Sequence, residues 1–533
     1  MPSLPDELRQ HYLRSGLWDD TTLGSLLLNG LRRFPHQRIQ TWSRGKRRRE
    51  TFQSLDVAAH RFAAGLVRCG VGPGDPVVLW LPNGWQALVA FVGVAALGAV
   101  IVPLAPFYGR KEIIDVVNAS GAPLVITASQ HGNRQHEDEV RDAWPLMPSL
   151  RTLVICGGAH RRSAEPHLVM FDDMLGTPMN VPAPRSPDEV CVLAFTSSTS
   201  GTAKGVAHTH RTLGAEVRCH LATMVGGIAT PQIMASPITH AAGMTLGLLA
   251  PIHRGEPVHL VDSFDIDLIL DAAHQEGLAP GGGAEVFLSA LIDHPKFTDE
   301  LAARMGAVIL GGSAVPETLV AKAAARGVTV LRCYGLTEHP TVSCGRIDDD
   351  PKNLAHTDGR LLDGVEVEIR DSTGAIQSAG YEGEIFTRGP DRCAGYLRPQ
   401  LNVVFDGEGW MSTGDIGFLN SAGHLTVTGR AKDLIIRHGV NISPAEIESV
   451  LLTCSSIADV AVIGVPDART GERAVAVVVA RHAADVTLDT LTGHLARLGV
   501  AKPKWPEEVR LVAELPRTAS GKVIKSDLRK VFS

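Results

Sequence analysis

Thr196-Ser-Ser-Thr-Ser-Gly-Thr-Ala-Lys-Gly205 follows the apolar run Val192-Leu-Ala-Phe195 and leads straight into Val206-Ala207. Small hydroxyl residues with glycine let backbone N–H groups converge on a polyanion, and the hydroxyls and Lys204 add further donors. The stretch reads as a phosphate cradle closing a strand. It is not a Walker A loop, because GxxxxGK[ST] is absent. A flexible Ser/Thr/Gly linker has the same composition. The strand before it and the apolar pair after it argue against a linker.

Working outward, 533 residues are too many for one ordinary core, so two to four domains are expected. With 44% hydrophobic and 20% charged residues the chain reads as soluble and globular. A net charge of −6 argues against nucleic-acid binding by bulk electrostatics. The basic run Arg44-Gly-Lys-Arg-Arg-Arg49 lies between Ile39-Gln-Thr-Trp42 and Thr51-Phe52 and reads as a charged hairpin turn. Eight cysteines are spaced singly, with no CxxC pair; this disfavours zinc ribbons and fits a reducing, cytoplasmic setting. No secretory signal is visible in Met1-Pro-Ser-Leu-Pro-Asp-Glu7. Residues 87–107 carry no charge and mimic a membrane span, but Gly98, Pro103 and Pro106 divide them. The reading is a buried helix over 84–97 stopped by Gly98, then a strand over 99–102, and no integral membrane segment.

Leu55, Ala58, Ala59, Phe62 and Leu66 fall on one helical face, which Gly70-Val-Gly-Pro-Gly74 ends. Strands are expected at 76–81, 124–126, 153–155, 258–261, 307–310 and 328–331, with helices such as 265–276 and 317–326 between them. This alternation predicts α/β layers with largely parallel sheets. After about residue 360 short strands at 365–369, 383–386 and 425–427 predict a small β-barrel-like unit. From 431 a compact α+β tail begins, with strands near 460–463 and 474–479 and a helix near 488–498. The expected organisation is therefore an N-terminal domain over 1–430, made of two layered α/β subdomains plus the β-barrel. A small mobile α+β C-terminal lid domain over 431–533 follows.

Further segments carry chemistry. Tyr334-Gly-Leu-Thr-Glu338 offers an aromatic ring for a purine and a hydroxyl and carboxylate for phosphate and Mg²⁺. Ser412-Thr-Gly-Asp415 and Gly429-Arg-Ala-Lys-Asp433 bracket a hairpin and supply an acceptor for ribose hydroxyls with a cation beside it. Pro516-Arg-Thr-Ala-Ser-Gly-Lys522 places a lysine on a Gly/Ser loop. Taken singly, each also reads as an ordinary turn, surface ion pair or solvated charge.

In this order the segments resemble the adenylate-forming superfamily: acyl-CoA synthetases, adenylation domains of peptide synthetases, and firefly luciferase. The resemblance runs from Phe52-x-x-Leu55 to Lys522 and implies the following roles. Thr196, Ser197, Ser198, Thr199, Ser200, Gly201, Thr202 and Lys204 would hold the β- and γ-phosphates of ATP. Gly311-Gly312-Ser313 and Cys333-Tyr334-Gly335 would flank adenine. Thr337 would meet the α-phosphate, Glu338 would bind Mg²⁺, and Asp415 with Arg430 would grip the ribose. Lys432 matches the hinge, and Lys522 the lysine that reaches carboxylate and α-phosphate. The segment 435–443, with Arg437, His438 and Gly439, would line the coenzyme A channel. Two departures stand in the phosphate loop, Ser198 for glycine and Ala203 for proline. Neither removes a donor.

The resemblance implies that a carboxylic acid attacks MgATP to give acyl-AMP and pyrophosphate, and that coenzyme A then takes the acyl group. The 429–443 stretch is most similar to CoA ligases of medium-chain, alicyclic and aryl acids. The alternative is a stand-alone adenylation enzyme loading a carrier protein's phosphopantetheine thiol. A non-catalytic adenylate-binding protein is opposed by the intact Glu338, Asp415, Arg430 and Lys522. A homodimer stays open. The acid pocket is expected from His240, Gly243, Met244, Gly283, Val286, Phe287, Gly311 and Thr341. Gly281, Gly282 and Gly283, where relatives carry bulkier residues, predict a roomy pocket.

Overall fold

The chain starts its layers with local signals that are all satisfied. Thr51 and Ser54 form a reciprocal capping box that opens the Phe52–Arg68 helix. Trp85–Leu97 is apolar on every side and ends at Gly98, whose φ of +75° is the left-handed cap only glycine adopts freely. The structure, a computed structural model, describes residues 4–158, 167–178, 186–196, 204–225, 228, 231–437, 440–467, 471–481, 486–498, 500, 502–518 and 521–532.

Eight strands form the largest sheet, in the order Gly395–Tyr396, Lys204–Thr209, Val190–Thr196, Val100–Pro103, Pro76–Trp80, Leu124–Ala128, Thr152–Cys156, Leu168–Met170. From Val190–Thr196 onward the pairs are parallel. Val190–Thr196 and Lys204–Thr209 pair antiparallel. Parallel strands need crossovers that cover both faces, so their residues are apolar throughout. Trp85–Leu97 supplies one crossover and is buried along its length except at Gln86. No described helix is long and apolar enough to cross a membrane.

A second sheet runs Ala279–Pro280, Gln232–Met234, Val258–Val261, Arg38–Ser43, Lys46–Thr51. Its last pair is the charged hairpin, with Ser43 opposite Lys46 and Gly45 at φ +73°. Arg49 pairs with Glu276 at 3.1 Å and Arg44 with Asp265 at 2.6 Å, so the basic run is largely neutralised by the chain itself. A third sheet joins Ala307–Gly311, Thr329–Leu336, His339–Cys344 and Arg360–Leu361.

Beyond residue 360 the expected barrel is a four-stranded antiparallel sheet, Glu366–Arg370, Gly383–Arg388, Met411–Leu419, Leu425–Arg430. Among the described residues its two outer strands do not pair with each other, so it stays open. The remaining sheet belongs to the C-terminal part. Its long strands, Ile457–Asp467 at the edge and Gly471–Ala480 inside, alternate between two apolar clusters. Val460, Val462, Ala476 and Val478 face the helices Pro444–Leu451 and Leu488–Arg497, while Ile463, Val475 and Val477 face Leu515 and Leu528. A period of two with both faces buried is what a sheet sandwiched between helices requires.

Candidate active site

The residues singled out in the sequence converge from four segments. Thr337 and Glu338 form the two-residue turn between Thr329–Leu336 and His339–Cys344, where Leu336 opposes His339. Gly335 makes this turn possible, because a Cβ there would stand 1.9 Å from the Pro340 carbonyl oxygen. The turn is fixed from behind. His208 Nε2 donates to the Thr337 carbonyl at 2.7 Å, and the Cys393 N–H donates to the Glu338 carbonyl at 2.7 Å. Burial holds His208 down at about 4, so it stays neutral in this role.

The Glu338 carboxylate accepts from the Tyr396 hydroxyl at 2.6 Å. Lys204 Nζ lies 5.7 Å from the centre of the same tyrosine ring. Thr196 and Lys204 are register partners that close the hairpin. Ser197, Ser198, Thr199, Ser200, Gly201, Thr202 and Ala203, the centre of the expected phosphate loop, lie outside the described residues.

Asp415 and Arg430 face each other across adjacent strands, and Arg430 Nε reaches Asp415 Oδ1 at 2.9 Å. Tyr334 donates its hydroxyl to Asp415 Oδ2 at 2.8 Å. Tyr334 and Asp415 are thus one hydrogen-bonded unit. Burial pushes the Asp415 carboxyl above its ordinary range, and Arg430 opposes that shift. Gly311 is the register partner of Cys333, and a Cβ on it would stand 2.7 Å from the Cys333 carbonyl. Gly312 has φ +82°. The Ser313 hydroxyl is buried and unpartnered.

Lys522 comes from the C-terminal part. Gly521 before it has φ +88°, and a Cβ there would lie 3.8 Å from Val286 Cγ1. Burial and Arg430 lower the Lys522 ammonium below the ordinary lysine range, while Asp415 and Glu338 pull it back up. Lys432 is lowered likewise, by burial first and then by Arg430 and Lys204. Lys204, Arg430, Lys432 and Lys522 therefore ring one cleft with positive charge, a field suited to a polyphosphate. The expected hinge lysine belongs to that ring.

The acid-pocket expectations divide. His240 precedes the Ala241–Met244 helix and is exposed to the cleft, where crowding and the charge of Lys522 hold it below its ordinary value. Val286 is exposed, and Phe287 meets Phe264 edge-on at 4.5 Å. Phe264 is an exposed aromatic the sequence did not flag; a lone aromatic between Ser263 and Asp265 carries no pattern. Two residues leave the pocket. Thr341 is buried and donates its hydroxyl to Glu216 Oε1 at 2.8 Å. Met244 packs into the main core. The three glycines do not open volume. A Cβ on Gly281 would meet Met234 Sδ at 2.0 Å, on Gly282 the Ile309 carbonyl at 2.2 Å, and on Gly283 the Phe287 ring at 2.7 Å. They admit close backbone approach, as Gly243 does where a Cβ would stand 2.1 Å from the Pro237 carbonyl. Arg437, expected in the coenzyme A channel, pairs with Glu507 at 2.7 Å. His438 and Gly439 lie outside the described residues.

The family model described as "AMP-binding enzyme" matches residues 29–397, most of the chain. The chain belongs to the AMP-binding enzyme family. The model "AMP-binding enzyme C-terminal domain" matches residues 446–522 of this AMP-binding enzyme, ending on Lys522. The chain is 30% identical over 531 residues to the medium-chain fatty-acid–CoA ligase of Escherichia coli K12, covering 98% of this chain and 93% of the relative. It is 32% identical over 499 residues to the 3-[(3aS,4S,7aS)-7a-methyl-1,5-dioxo-octahydro-1H-inden-4-yl]propanoyl:CoA ligase of Rhodococcus jostii RHA1, covering 90% and 94%. Among solved structures it resembles ATP-bound MatB from Rhodopseudomonas palustris, with a TM-score of 0.84, 27% identity, and 96% and 99% coverage.

Proposed function

We propose that the cleft between Asp415, Glu338 and Lys522 activates a compact hydrophobic carboxylic acid, alicyclic or aryl, and hands it to free coenzyme A. The chain is an AMP-forming acid–CoA ligase, converting acid and ATP to acyl-AMP and pyrophosphate and then acyl-AMP and coenzyme A to acyl-CoA and AMP. The observation that carries the site reading is Lys522. The C-terminal segment brings it within electrostatic reach of Asp415, Arg430 and Glu338, all from the N-terminal part.

In this reading Tyr334 and Gly311-Gly312-Ser313 border adenine, and Asp415 accepts from the ribose hydroxyls. Attack by the acid carboxylate on the α-phosphorus builds negative charge there. Lys522 and the Thr337 hydroxyl offset that charge, and Lys204 meets the departing pyrophosphate. Among the described residues Glu338 accepts from a tyrosine and pairs with no cation, whereas Asp415 also holds Arg430; this suits Mg²⁺ held by one carboxylate plus phosphate oxygens. Bound there, the ion would neutralise phosphate charge. Rotation at Lys432 would then withdraw Lys522 and present the Arg437-His438-Gly439 segment to the thiol. Ring walls at Phe264 and Phe287 favour a bulky apolar acid over acetate. Eight free cysteines suit a reducing cytoplasm.

The test is acid-dependent pyrophosphate release over a panel of carboxylic acids, followed by acyl transfer to coenzyme A or to a phosphopantetheinylated carrier protein. Highest kcat/KM with an alicyclic or aryl acid and coenzyme A is expected. Acetate as the best acid, or turnover only with the carrier protein, would displace this reading.

A further inference from the structure

Behind the Thr337–Glu338 turn lies a group of charged side chains that the reaction does not touch. Glu216, His220, His339 and Asp391 are each at most 1% exposed. They come from three separate segments: the helical stretch 210–220 that follows the phosphate hairpin, the strand that continues from Glu338, and the turn 389–394 that leads to Tyr396.

The charges around His220 set its state. His220 Nε2 faces the Asp363 carbonyl at 2.9 Å and so carries a proton. Its Nδ1 faces only carboxylates, Glu216 Oε2 at 3.3 Å and Asp391 Oδ1 at 3.5 Å. A lone pair there would face two anions, so Nδ1 carries a proton too and the ring is an imidazolium. His339 Nε2 meets the same Asp391 oxygen at 2.8 Å, and its Nδ1 meets the Thr387 hydroxyl at 3.0 Å. Thr341 closes the set, with its hydroxyl to Glu216 and its N–H to Asp391 Oδ2 at 3.4 Å. Consistent with this, the carboxylates raise His220, and the two histidines lower Asp391.

Buried ion pairs are poor sources of net stability, because desolvation offsets most of their attraction. Their use is to fix geometry, and here the geometry fixed is that of Glu338. His339 is its chain neighbour. Asp391 lies two residues before Cys393, whose N–H holds the Glu338 carbonyl, and five before Tyr396, whose hydroxyl holds the Glu338 carboxylate. We propose that Glu216, His220, His339 and Asp391 form a buried positioning network that aims the Glu338 carboxylate at the metal of MgATP. They are positioning residues, and the proposal rests on the reading of Glu338 as the Mg²⁺ carboxylate.

The outer partners of metal-ligating side chains typically affect metal affinity about 10–100-fold. Asp391→Asn and His220→Gln should raise the Mg²⁺ concentration for half-maximal ATP–pyrophosphate exchange by that range, with the KM for the acid unchanged. Calorimetry should find MgATP binding weakened while binding of ATP in EDTA is kept. Thr341→Val removes only the hydroxyl link and guards against misfolding of the stronger variants; it should shift the Mg²⁺ requirement in the same direction by less. In a Glu338→Gln background, Asp391→Asn should add nothing. Folded variants with lower Tm and an unchanged Mg²⁺ requirement would overturn the network's role. So would a stoichiometric transition metal in the purified protein, held by Glu216, His220 and Asp391. If Glu338→Gln alone leaves the Mg²⁺ requirement untouched, the Glu338 reading fails instead, a separately visible result.

Discussion

The two sides of the cleft are built differently. On the N-terminal side three polar groups are already held: Asp415 by Tyr334 and Arg430, Glu338 by Tyr396, the Thr337 carbonyl by His208. On the C-terminal side Lys522 follows Gly521 on a loop that lies beside Val286. Groups that must keep one geometry through both half-reactions are locked by hydrogen bonds. In the proposed reaction the group needed for one half-reaction is carried on the part that rotates.

Removing Lys522 separates the two sides most sharply. Lys522→Ala should lower acid-dependent pyrophosphate exchange by about 10²–10³-fold, the usual effect of losing one transition-state donor. Thioester formation from supplied acyl-AMP should be kept, and Gly439→Leu should show the opposite pattern. Equal loss of both steps in folded Lys522→Ala would end the distinction between a fixed and a delivered side.

Asp415→Ala tests the fixed side. It removes a charge-assisted bond worth about 1.5–3 kcal/mol, so ATP should bind roughly 10–150-fold more weakly by calorimetry. Tyr334→Phe should cost less, since Arg430 still holds the carboxylate. An Asp415→Ala enzyme with unaltered ATP affinity would place the ribose elsewhere.

In the acid pocket, Phe287→Ala breaks an edge-to-face pair worth about 0.5–1.5 kcal/mol and should raise the KM of a bulky acid a few-fold, leaving the KM for ATP alone. Gly282→Ala should instead lower Tm, because its Cβ would meet a backbone carbonyl. A smaller acid gaining in Gly282→Ala would restore the idea that the glycines set pocket volume.

The smallest effect expected is in the pH profile. The Lys522 ammonium is lowered, so its charge is lost as pH rises through a value below the ordinary lysine range. Adenylation should therefore fall on the alkaline side earlier than a solvated lysine would dictate. Acyl transfer from supplied acyl-AMP should lack that limb. Coincident alkaline limbs in the two half-reactions would assign the titration to another group.

Much of this was legible in the sequence. The helix over 84–97, its Gly98 stop and the parallel strands were fixed by local apolar runs and breakers, and they appear within a residue or two as Trp85–Leu97 and Val100–Pro103. The charged hairpin was legible too, though not that Glu276 and Asp265 would neutralise it. Glu338, Asp415, Arg430 and Lys522 were singled out because their motifs keep order and spacing. Thr341 and Met244 were misplaced because proximity in sequence to a site does not say which way a strand or helix side chain points.

By itself, then, the sequence determined the elements, their α/β order and the chemical types that meet a nucleotide, because periodicity, caps and turn residues act over a few positions. Only the tertiary structure decided what those residues face. Tyr334 bonding Asp415, Tyr396 bonding Glu338, and His220 facing Asp391 join positions 58–171 residues apart. Gly281, Gly282 and Gly283 read as empty space in one dimension and as tight backbone packing in three. Long-range pairs and close approaches are set by how sheets stack and where loops cross, and no local pattern encodes them.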